Sequence, residues 1–182
     1  MTIFFTADTH FGDHRVLNIS KRPFGSVAEM DAAMIARWNS VVASQDEVWH
    51  LGDFARTRKI AAVTLPVLNG RKHLIIGNND PTEVLELDWA SVQHYAETQV
   101  EGTRLVLCHY PFRTWNGMAQ GTINLHGHSH GRLKPPAAVR CWCGRARLSA
   151  DHVGRFDGGD GISADCREPH ATSCASRHPK PK

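Results

Sequence analysis

Short runs of apolar residues, each bounded by Gly, Asp, Asn or His, recur through the first 134 residues of the chain. Runs of this length and composition are typical of buried β-strands. The sequence therefore predicts five strands, at Ile3 to Ala7, Val48 to Leu51, Lys72 to Ile76, Arg104 to Cys108 and Thr122 to Leu125.

Patterns with helical spacing lie between these strands. Ser26 is followed three residues later by Glu29, a pair typical of a capped helix start, and apolar residues then repeat at helical spacing through Ala43. A second, weaker helical pattern runs from Lys59 to Leu68 and is interrupted by Pro66. Strands that alternate with helices in this way predict an α/β fold.

One later segment predicts a different connection. The extended stretch from Val92 to Val100 is followed by Glu101, Gly102 and the strand from Arg104 to Cys108. Two extended segments joined by a short turn that contains glycine favour an antiparallel β-hairpin. Together with the parallel strands expected from the helical crossovers, a hairpin makes the sheet mixed.

The character of the sequence changes after Lys134, where two prolines open a stretch that is rich in Gly, Ser, Ala, Arg and Cys and has no sustained period. We therefore predict one α/β domain over residues 1–134 and an irregular tail over residues 135–182. The 13 Lys and Arg residues up to Lys134 are balanced by 13 Asp and Glu residues, so the net charge of +3 belongs to the tail. A neutral domain without a basic stripe disfavours nucleic-acid binding.

The cysteines and the N-terminal segment indicate the compartment. The N-terminal segment has no basic region, no long apolar stretch and no small-residue cleavage site, so we expect neither a signal peptide nor a membrane span. Of five cysteines, only Cys108 precedes the tail, and it lies in an apolar run where a buried, reduced thiol is expected. These features predict a cytoplasmic protein.

Polar motifs follow the predicted strands, at the carboxyl ends where α/β proteins commonly build their sites. After the first strand, Asp8 and His10 are two residues apart, and strand alternation brings such side chains to one side. After the second strand, Gly52 permits a sharp turn, and the two oxygens of Asp53 can bridge two cations. The remaining motifs are Gly77-Asn78-Asn79-Asp80, the lone His109, and Gly127-His128-Ser129-His130.

The ligand types in these motifs suffice for two divalent cations. Mixed oxygen and nitrogen ligands favour Mn, Fe or Zn over the all-oxygen sites of Ca or Mg. Two such cations, about 3.5 to 4 Å apart, can lower the pKa of a bridging water and clamp an in-line phosphoryl displacement. The motifs therefore predict hydrolysis of a phosphate monoester or diester by a metal-bridging hydroxide.

The order and content of the motifs resemble the calcineurin-like metallophosphoesterase superfamily, whose blocks run Asp-x-His, Gly-Asp, Gly-Asn-His, a lone His after an apolar strand, and Gly-His-x-His. The stretches Lys21 to Phe24, Trp38-Asn39 and Trp115 to Gly117 are similar to a small bacterial and phage branch. The resemblance implies a pair of mixed β-sheets flanked by helices, the metallo-dependent phosphatase-like sandwich. It implies two ligand sets that share a bridge: Asp8, His10, Asp53 and His130 for one cation, and Asp53, Asn78, His109 and His128 for the other.

One departure from the family pattern lies at Asn79, where the family usually has a histidine that is thought to protonate the leaving group or steady the phosphate. Asparagine has no ionisable proton at neutral pH, and general acid catalysis contributes roughly 10²- to 10⁴-fold to the rate. We therefore consider Asn79 and Asp80 as the catalytic pair. The candidate proton donors in place of the histidine are Asp80, His14 and His126; in the alternative, Asn79 only hydrogen-bonds the substrate phosphate.

The tail is the second departure, because the branch continues into closing strands that contain a segment similar to Asp-Val-Gly-Val-Asp. Suitable codons for Val139 to Arg145, read one nucleotide later, encode Phe-Asp-Val-Gly-Val-Asp-Ala. We hypothesise a frameshift near residues 134–137, which would truncate the domain, alter its C-terminal strands and leave an exposed sheet edge. The nucleotide sequence of the gene tests this hypothesis.

Two alternatives stay open at this point. Arg113 follows His109 closely and could bind a substrate phosphate bidentately, but a solvated loop arginine would have the same sequence pattern. The alternative function is a catalytically weak, metal-binding scaffold of the same fold that binds a protein partner. Asn79 and the altered tail favour this alternative, and turnover of a phosphate ester would exclude it.

Overall fold

Two β-sheets pack face to face in the computed structural model, which describes residues 1–130, 132–133, 141–143 and 154–155. The first sheet contains β1 (Ile3–Thr6), β2 (Glu47–His50), β3 (Arg71–Ile75), β4 (Ser91–Gln93) and β9 (Gly154–Arg155). Its strand order is β4-β3-β2-β1-β9. The strands β1 to β4 are parallel, and β9 is antiparallel to β1.

The second sheet has the strand order β5-β6-β7-β8. It contains β5 (Tyr95–Val100), β6 (Thr103–Cys108), β7 (Ile123–His126) and β8 (Cys141–Cys143). The β5 and β6 strands are antiparallel, whereas β7 is parallel to both β6 and β8. The predicted pair of mixed sheets flanked by helices is therefore confirmed.

Helices cover the outer face of the first sheet. They are α1 (Arg15–Ile19), α2 (Val27–Val41), α3 (Arg58–Thr64) and α4 (Thr82–Leu85), with 3₁₀ turns at Leu65–Val67 and Met118–Gln120. Neighbouring residues on β1 show the alternation that builds the layers, since Phe4 packs with the buried face of α2 and Phe5 packs between the sheets. The first sheet is thus buried on both faces, which explains its continuous apolar runs.

The longest helix begins where the sequence predicts. Ser26 accepts the N–H of Glu29 at 3.1 Å, so it caps α2, and Met30, Met34 and Trp38 form the buried stripe. The helix ends at Val41, two residues before the predicted end. The pattern from Lys59 to Leu68 forms α3 followed by a 3₁₀ turn, and the change of helix type occurs beside Pro66.

The predicted antiparallel hairpin is confirmed for Tyr95–Val100 and β6, but the predicted single strand from Val92 to Val100 is wrong, because this segment is two strands in different sheets. The residues Ser91–Gln93 pair in parallel with β3, and Tyr95–Val100 pair antiparallel with β6. The chain changes sheets at the exposed His94. Local patterning cannot separate the two strands, since both present alternating apolar positions to a core, Val92 to the helical layer and Ala96 to the space between the sheets.

The tail contributes backbone to both sheets. The β8 strand lies beside β7 and β9 lies beside β1, so these edges are paired and not exposed as the frameshift hypothesis implied. The remaining tail, which includes Cys166 and Cys174, lies outside the described residues, and the frameshift stays a prediction. Cys108 is a buried, free cysteine, as expected. Among the described residues, the helices all lack the combination of length and apolar character that a membrane crossing needs, and the cytoplasmic location stays a prediction.

Candidate metal centre

The loops that carry the predicted ligands meet at the carboxyl edges of the two sheets. In chain order these ligands are Asp8 and His10 after β1, Asp53 after β2, Asn78 after β3, His109 after β6, and His128 and His130 after β7. Backbone hydrogen bonds hold neighbouring loops together, including those from His10 N to Asp53 O at 2.9 Å and from Gly127 N to His109 O at 3.1 Å. The sheets thereby place side chains 120 positions apart in direct contact.

Most of these ligands share an unusual backbone conformation. Seven non-glycine residues in the described part of the chain have a positive φ angle, and five of them are candidate ligands: Asp8 (55°), His10 (52°), Asp53 (60°), His128 (63°) and His130 (47°). The left-handed region is sterically costly for residues with a Cβ, and such residues persist where the surrounding structure holds them, often at functional sites. Their concentration in these loops points to a functional site.

Asp8, His10 and His130 form the first group of ligand atoms, all within 4.8 Å of one another. His130 Nε2 lies 3.3 Å from His10 Nε2 and 3.8 Å from Asp8 Oδ1. The two imidazole rings stack with their centroids 5.2 Å apart. Two nitrogen donors and one carboxylate oxygen therefore converge on one small volume.

The second group surrounds the amide of Asn78. Asn78 Oδ1 lies 3.0 Å from His109 Nε2 and 2.8 Å from His128 Nδ1. Asp53 Oδ1 lies 3.6 Å from the same nitrogen of His109. The structure therefore brings together the four side chains that the family resemblance assigns to the second cation.

Asp53 lies between the two groups. Its Oδ2 atom is 3.5 Å from His10 Nε2, and its Oδ1 atom is 3.6 Å from His109 Nε2. Asp8 also approaches the second group, because Asp8, Asp53 and His109 offer ligand atoms within 4.8 Å of one another. A carboxylate whose oxygens face different histidines has the geometry needed to bridge two cations.

The electrostatics of the cluster suit divalent cations. Burial and the neighbouring Asp53 carboxylate raise the pKa of Asp8 to about 8. Burial lowers the pKa of His130 to about 4 and also lowers the pKa of His10, so both imidazoles are neutral at pH 7. Neutral imidazoles are the ligand form that divalent cations bind, and a cation bound here would displace the proton that Asp8 holds at pH 7. The donor set therefore fits two cations.

The second group is oriented by backbone contacts. His109 is fully buried, and its Nδ1 atom lies 2.8 Å from Leu51 O, so an Nδ1–H donor there leaves the Nε2 lone pair facing Asn78 and Asp53. Gly52 packs against this ring, since a Cβ at position 52 would lie 2.4 Å from His109 Nδ1, and the φ angle of Gly52 is 92°. This close approach explains the glycine before Asp53.

Asn79 and Asp80 both support Asp53. The backbone N–H and side-chain Nδ2 of Asn79 donate to the two Asp53 oxygens at 2.8 and 2.7 Å. Asp80 Oδ2 accepts the N–H groups of Asp53 and Gly77 at 2.9 and 2.8 Å, and Oδ1 accepts that of Phe54 at 2.7 Å. Because its oxygens face backbone donors, Asp80 has the geometry of a positioning residue, and its role as a proton donor stays a prediction.

The other candidate residues lie at different places. Arg113 is exposed on the loop after β6, and His14 is exposed at the start of α1. His126 is buried at the end of β7, where its Nδ1 atom lies 2.9 Å from Gly127 O. Within the residues that the structure describes, neither His14 nor His126 belongs to the groups of converging ligand atoms, and the substrate contact of Arg113 stays a prediction.

Three side chains that contact the ligands were not predicted from the sequence. Ser20 and Arg22 reach the first group, and the partly exposed Tyr110 packs its ring against His109 and His128. Arg22 lies in the stretch Lys21 to Phe24, which is similar to the bacterial and phage branch, and Tyr110 directly follows His109. These two positions were the sequence signals that could have identified the side chains. Nothing local to Ser20 distinguishes it from other surface serines.

Comparison with known proteins identifies relatives of the chain. The sequence model of the calcineurin-like phosphoesterase superfamily domain matches residues 1–137. The chain is 31% identical over 131 residues to the uncharacterized protein MJ1445 of Methanocaldococcus jannaschii, a match that covers 70% of this chain and 69% of that protein. It is 28% identical over 161 residues to the Gene 66 protein of Mycobacterium phage L5, covering 71% of this chain and 77% of the phage protein.

The fold is also similar to a solved structure, that of the protein of unknown function AQ665 from Aquifex aeolicus. The similarity has a TM-score of 0.64 and covers 82% of this chain and 90% of that chain, with 22% sequence identity. At this identity the similarity shows the shared α/β fold.

Proposed function

Because the chain belongs to the calcineurin-like phosphoesterase superfamily, as its motifs predicted, we propose that it hydrolyses a phosphate monoester or diester with two divalent cations. The observation that carries this proposal is the position of Asp53, whose two oxygens face His10 and His109 at 3.5 and 3.6 Å. Two cations bound there would supply a hydroxide nucleophile and a positively charged clamp for the phosphoryl group. The mixed ligands favour Mn, Fe or Zn.

Seven side chains would hold the two cations. Asp53 would bridge them, and the remaining ligands would divide between them as the family resemblance implies: Asp8, His10 and His130 on one side, and Asn78, His109 and His128 on the other. Burial keeps His10 and His130 neutral at pH 7, so the lone pairs of these two ligands are available. Five ligands have a left-handed backbone, a conformation that persists where the surrounding structure holds it, so we expect the ligand loops to be ordered before a cation binds.

The loop from Gly77 to Asp80 suggests which substrates react well. Asn79 carries no ionisable proton, and Asp80 directs both oxygens to backbone N–H groups. The leaving group therefore receives little help from this loop, so we expect a preference for esters whose leaving group is stable as an anion. The side chains that line the pocket decide which natural phosphate esters bind.

Hydrolysis of chromogenic esters tests the proposal. The protein reconstituted with Mn²⁺ should hydrolyse bis-p-nitrophenyl phosphate or p-nitrophenyl phosphate, and Asp53→Asn and His109→Ala should each abolish that activity. Asp88→Asn, at an exposed position on the loop before β4, is the matched control and should retain wild-type activity. Hydrolysis that persists in both ligand variants would contradict the proposal.

A second candidate function is the metal-binding scaffold that binds a protein partner. The observation that favours it is the use of Asn79 to support Asp53, which leaves the family's usual histidine position without a proton donor. The scaffold predicts stoichiometric cation binding, no turnover of any phosphate ester in a broad screen, and a partner recovered by pull-down. Turnover that depends on Asp53 would exclude it.

A further inference from the structure

A three-residue turn after α1, Ser20-Lys21-Arg22, contacts the first ligand group. The turn is held to the end of the helix by hydrogen bonds from Ser20 N to Val16 O at 3.0 Å and from Arg22 N to Leu17 O at 3.1 Å. Lys21 has a φ angle of 50°, so it shares the left-handed conformation of the ligands. These contacts fix the direction in which the side chains on either side of Lys21 point.

Ser20 orients His130. Its Oγ atom lies 3.1 Å from His130 Nδ1, while the other ring nitrogen, Nε2, faces Asp8 and His10. The partner of one ring nitrogen decides which nitrogen of a neutral histidine keeps its lone pair. An Nδ1–H donated to Ser20 Oγ leaves the Nε2 lone pair directed at the ligand cluster.

Arg22 holds the backbone between the other two ligands of this group. Its guanidinium donates to the carbonyl oxygen of Thr9 at 2.7 Å and to the carbonyl oxygen of Asp8. The same group packs against the sulfur atoms of Met30 and Met34 on α2, at 3.3 and 3.8 Å. A planar, permanently charged donor that spans two successive carbonyls restrains the segment that carries the Asp8 side chain.

The second ligand group has different supports. His109 is oriented by Leu51 O, and Asp53 is held by Asn79 and Asp80. None of these contacts involves the Ser20–Arg22 turn. The two halves of the centre are therefore braced by separate parts of the chain.

We propose that the Ser20–Arg22 turn is a positioning element for one of the two cations, the one bound by Asp8, His10 and His130. The inference rests on the proposed function, since it requires a centre that binds two cations. The inference predicts a selective effect: disruption of the turn weakens the affinity for one cation and leaves the affinity for the other cation unchanged. Loss of the partner that orients a ligand typically lowers metal affinity by about 10- to 100-fold.

Calorimetric titration of the metal-free, full-length chain with MnCl₂ measures this selectivity. Ser20→Ala and Arg22→Met should each weaken one of the two Mn²⁺ affinities by about 10- to 100-fold, and Ser20→Thr, which keeps the hydroxyl, should restore the wild-type value. Ser40→Ala and Arg37→Met, at exposed positions on α2, are the matched controls and should leave both affinities unchanged.

Single-site backgrounds assign the effect to one half of the centre. In a His128→Ala background, Ser20→Ala should still weaken the remaining high-affinity cation, whereas in a His10→Ala background it should have no effect. If the wild-type chain binds two Mn²⁺ ions and the turn variants weaken both affinities equally, or change neither affinity, this inference alone would be overturned. A wild-type chain that binds no Mn²⁺ would overturn the proposed function together with it.

Discussion

Replacement of Asp80 by alanine removes the acceptor of three backbone N–H groups, those of Asp53, Phe54 and Gly77. A buried donor left without an acceptor costs roughly 1 to 3 kcal/mol, so three of them give a range of about 3 to 9 kcal/mol. Burial raises the pKa of Asp80 above its usual value, so removal of the charge also recovers part of a desolvation cost. We therefore expect the low end, a loss of about 3 kcal/mol in the free energy of unfolding.

Urea denaturation of the metal-free protein, followed by circular dichroism, measures this loss. Asp80→Asn should lie between Asp80→Ala and the wild type, because one amide oxygen can still accept the N–H groups of Asp53 and Gly77 while the NH₂ group opposes that of Phe54. Asp88→Ala, at an exposed position, should change stability by less than about 0.5 kcal/mol. An Asp80→Ala variant as stable as the wild type but inactive would refute the positioning role and support Asp80 as a proton donor.

Three further predictions follow from the ligand loops. Because burial and Asp53 raise the pKa of Asp8 to about 8, Mn²⁺ must displace a proton at pH 7. Its affinity should therefore fall as the pH falls below about 8, and calorimetry in buffers of different ionisation enthalpy should detect about one proton released; an affinity independent of pH would contradict this. Asn79→His should raise the rate of phenyl phosphate hydrolysis by about 10²-fold and that of p-nitrophenyl phosphate by less, because the poorer leaving group needs the proton more. Equal changes in the two rates would show that the new histidine does not act as an acid. Gly77→Ala places a Cβ 2.3 Å from both Asp53 N and Asp53 Oδ1, so thermal unfolding should show that the free energy of unfolding falls by about 1 to 3 kcal/mol. Gly25→Ala, whose Cβ would meet only Glu29 Oε2 at 3.3 Å, is the control and should be as stable as the wild type.

The part of the fold that the sequence predicts is the part where local and tertiary preferences agree. The capped start of α2 at Ser26 needs only side-chain chemistry close in sequence, and a strand buried on both faces, such as β1, has a continuous apolar run. The switch of sheets at His94 depends on which strands β4 and β5 pair with, and pairing partners are not encoded in local periodicity. Short α1 and α4 bury one residue each, so they have no periodic signal.

The candidate site also contains residues that the sequence predicts and contacts that it does not. Asp8 and His10 lie in the loop after β1, where a left-handed backbone and not strand alternation brings their side chains together. Family motifs predict the remaining ligands, all of which converge in the structure. The supporting contacts depend on the tertiary arrangement. Ser20 lies 110 positions from His130, and Asp80 lies 27 and 26 positions from Asp53 and Phe54, so no local pattern identifies these contacts.

Metal stoichiometry tests the central claim, that side chains from five loops bind two cations together. Wild-type protein should be loaded with Mn²⁺, freed of excess metal by gel filtration and analysed by mass spectrometry for metal content per chain. The account predicts two Mn²⁺ ions per wild-type chain and a reduced content in Asp53→Asn, which loses the bridging carboxylate. A wild-type chain that retains no divalent cation, with Mn²⁺, Fe²⁺ or Zn²⁺, would contradict it.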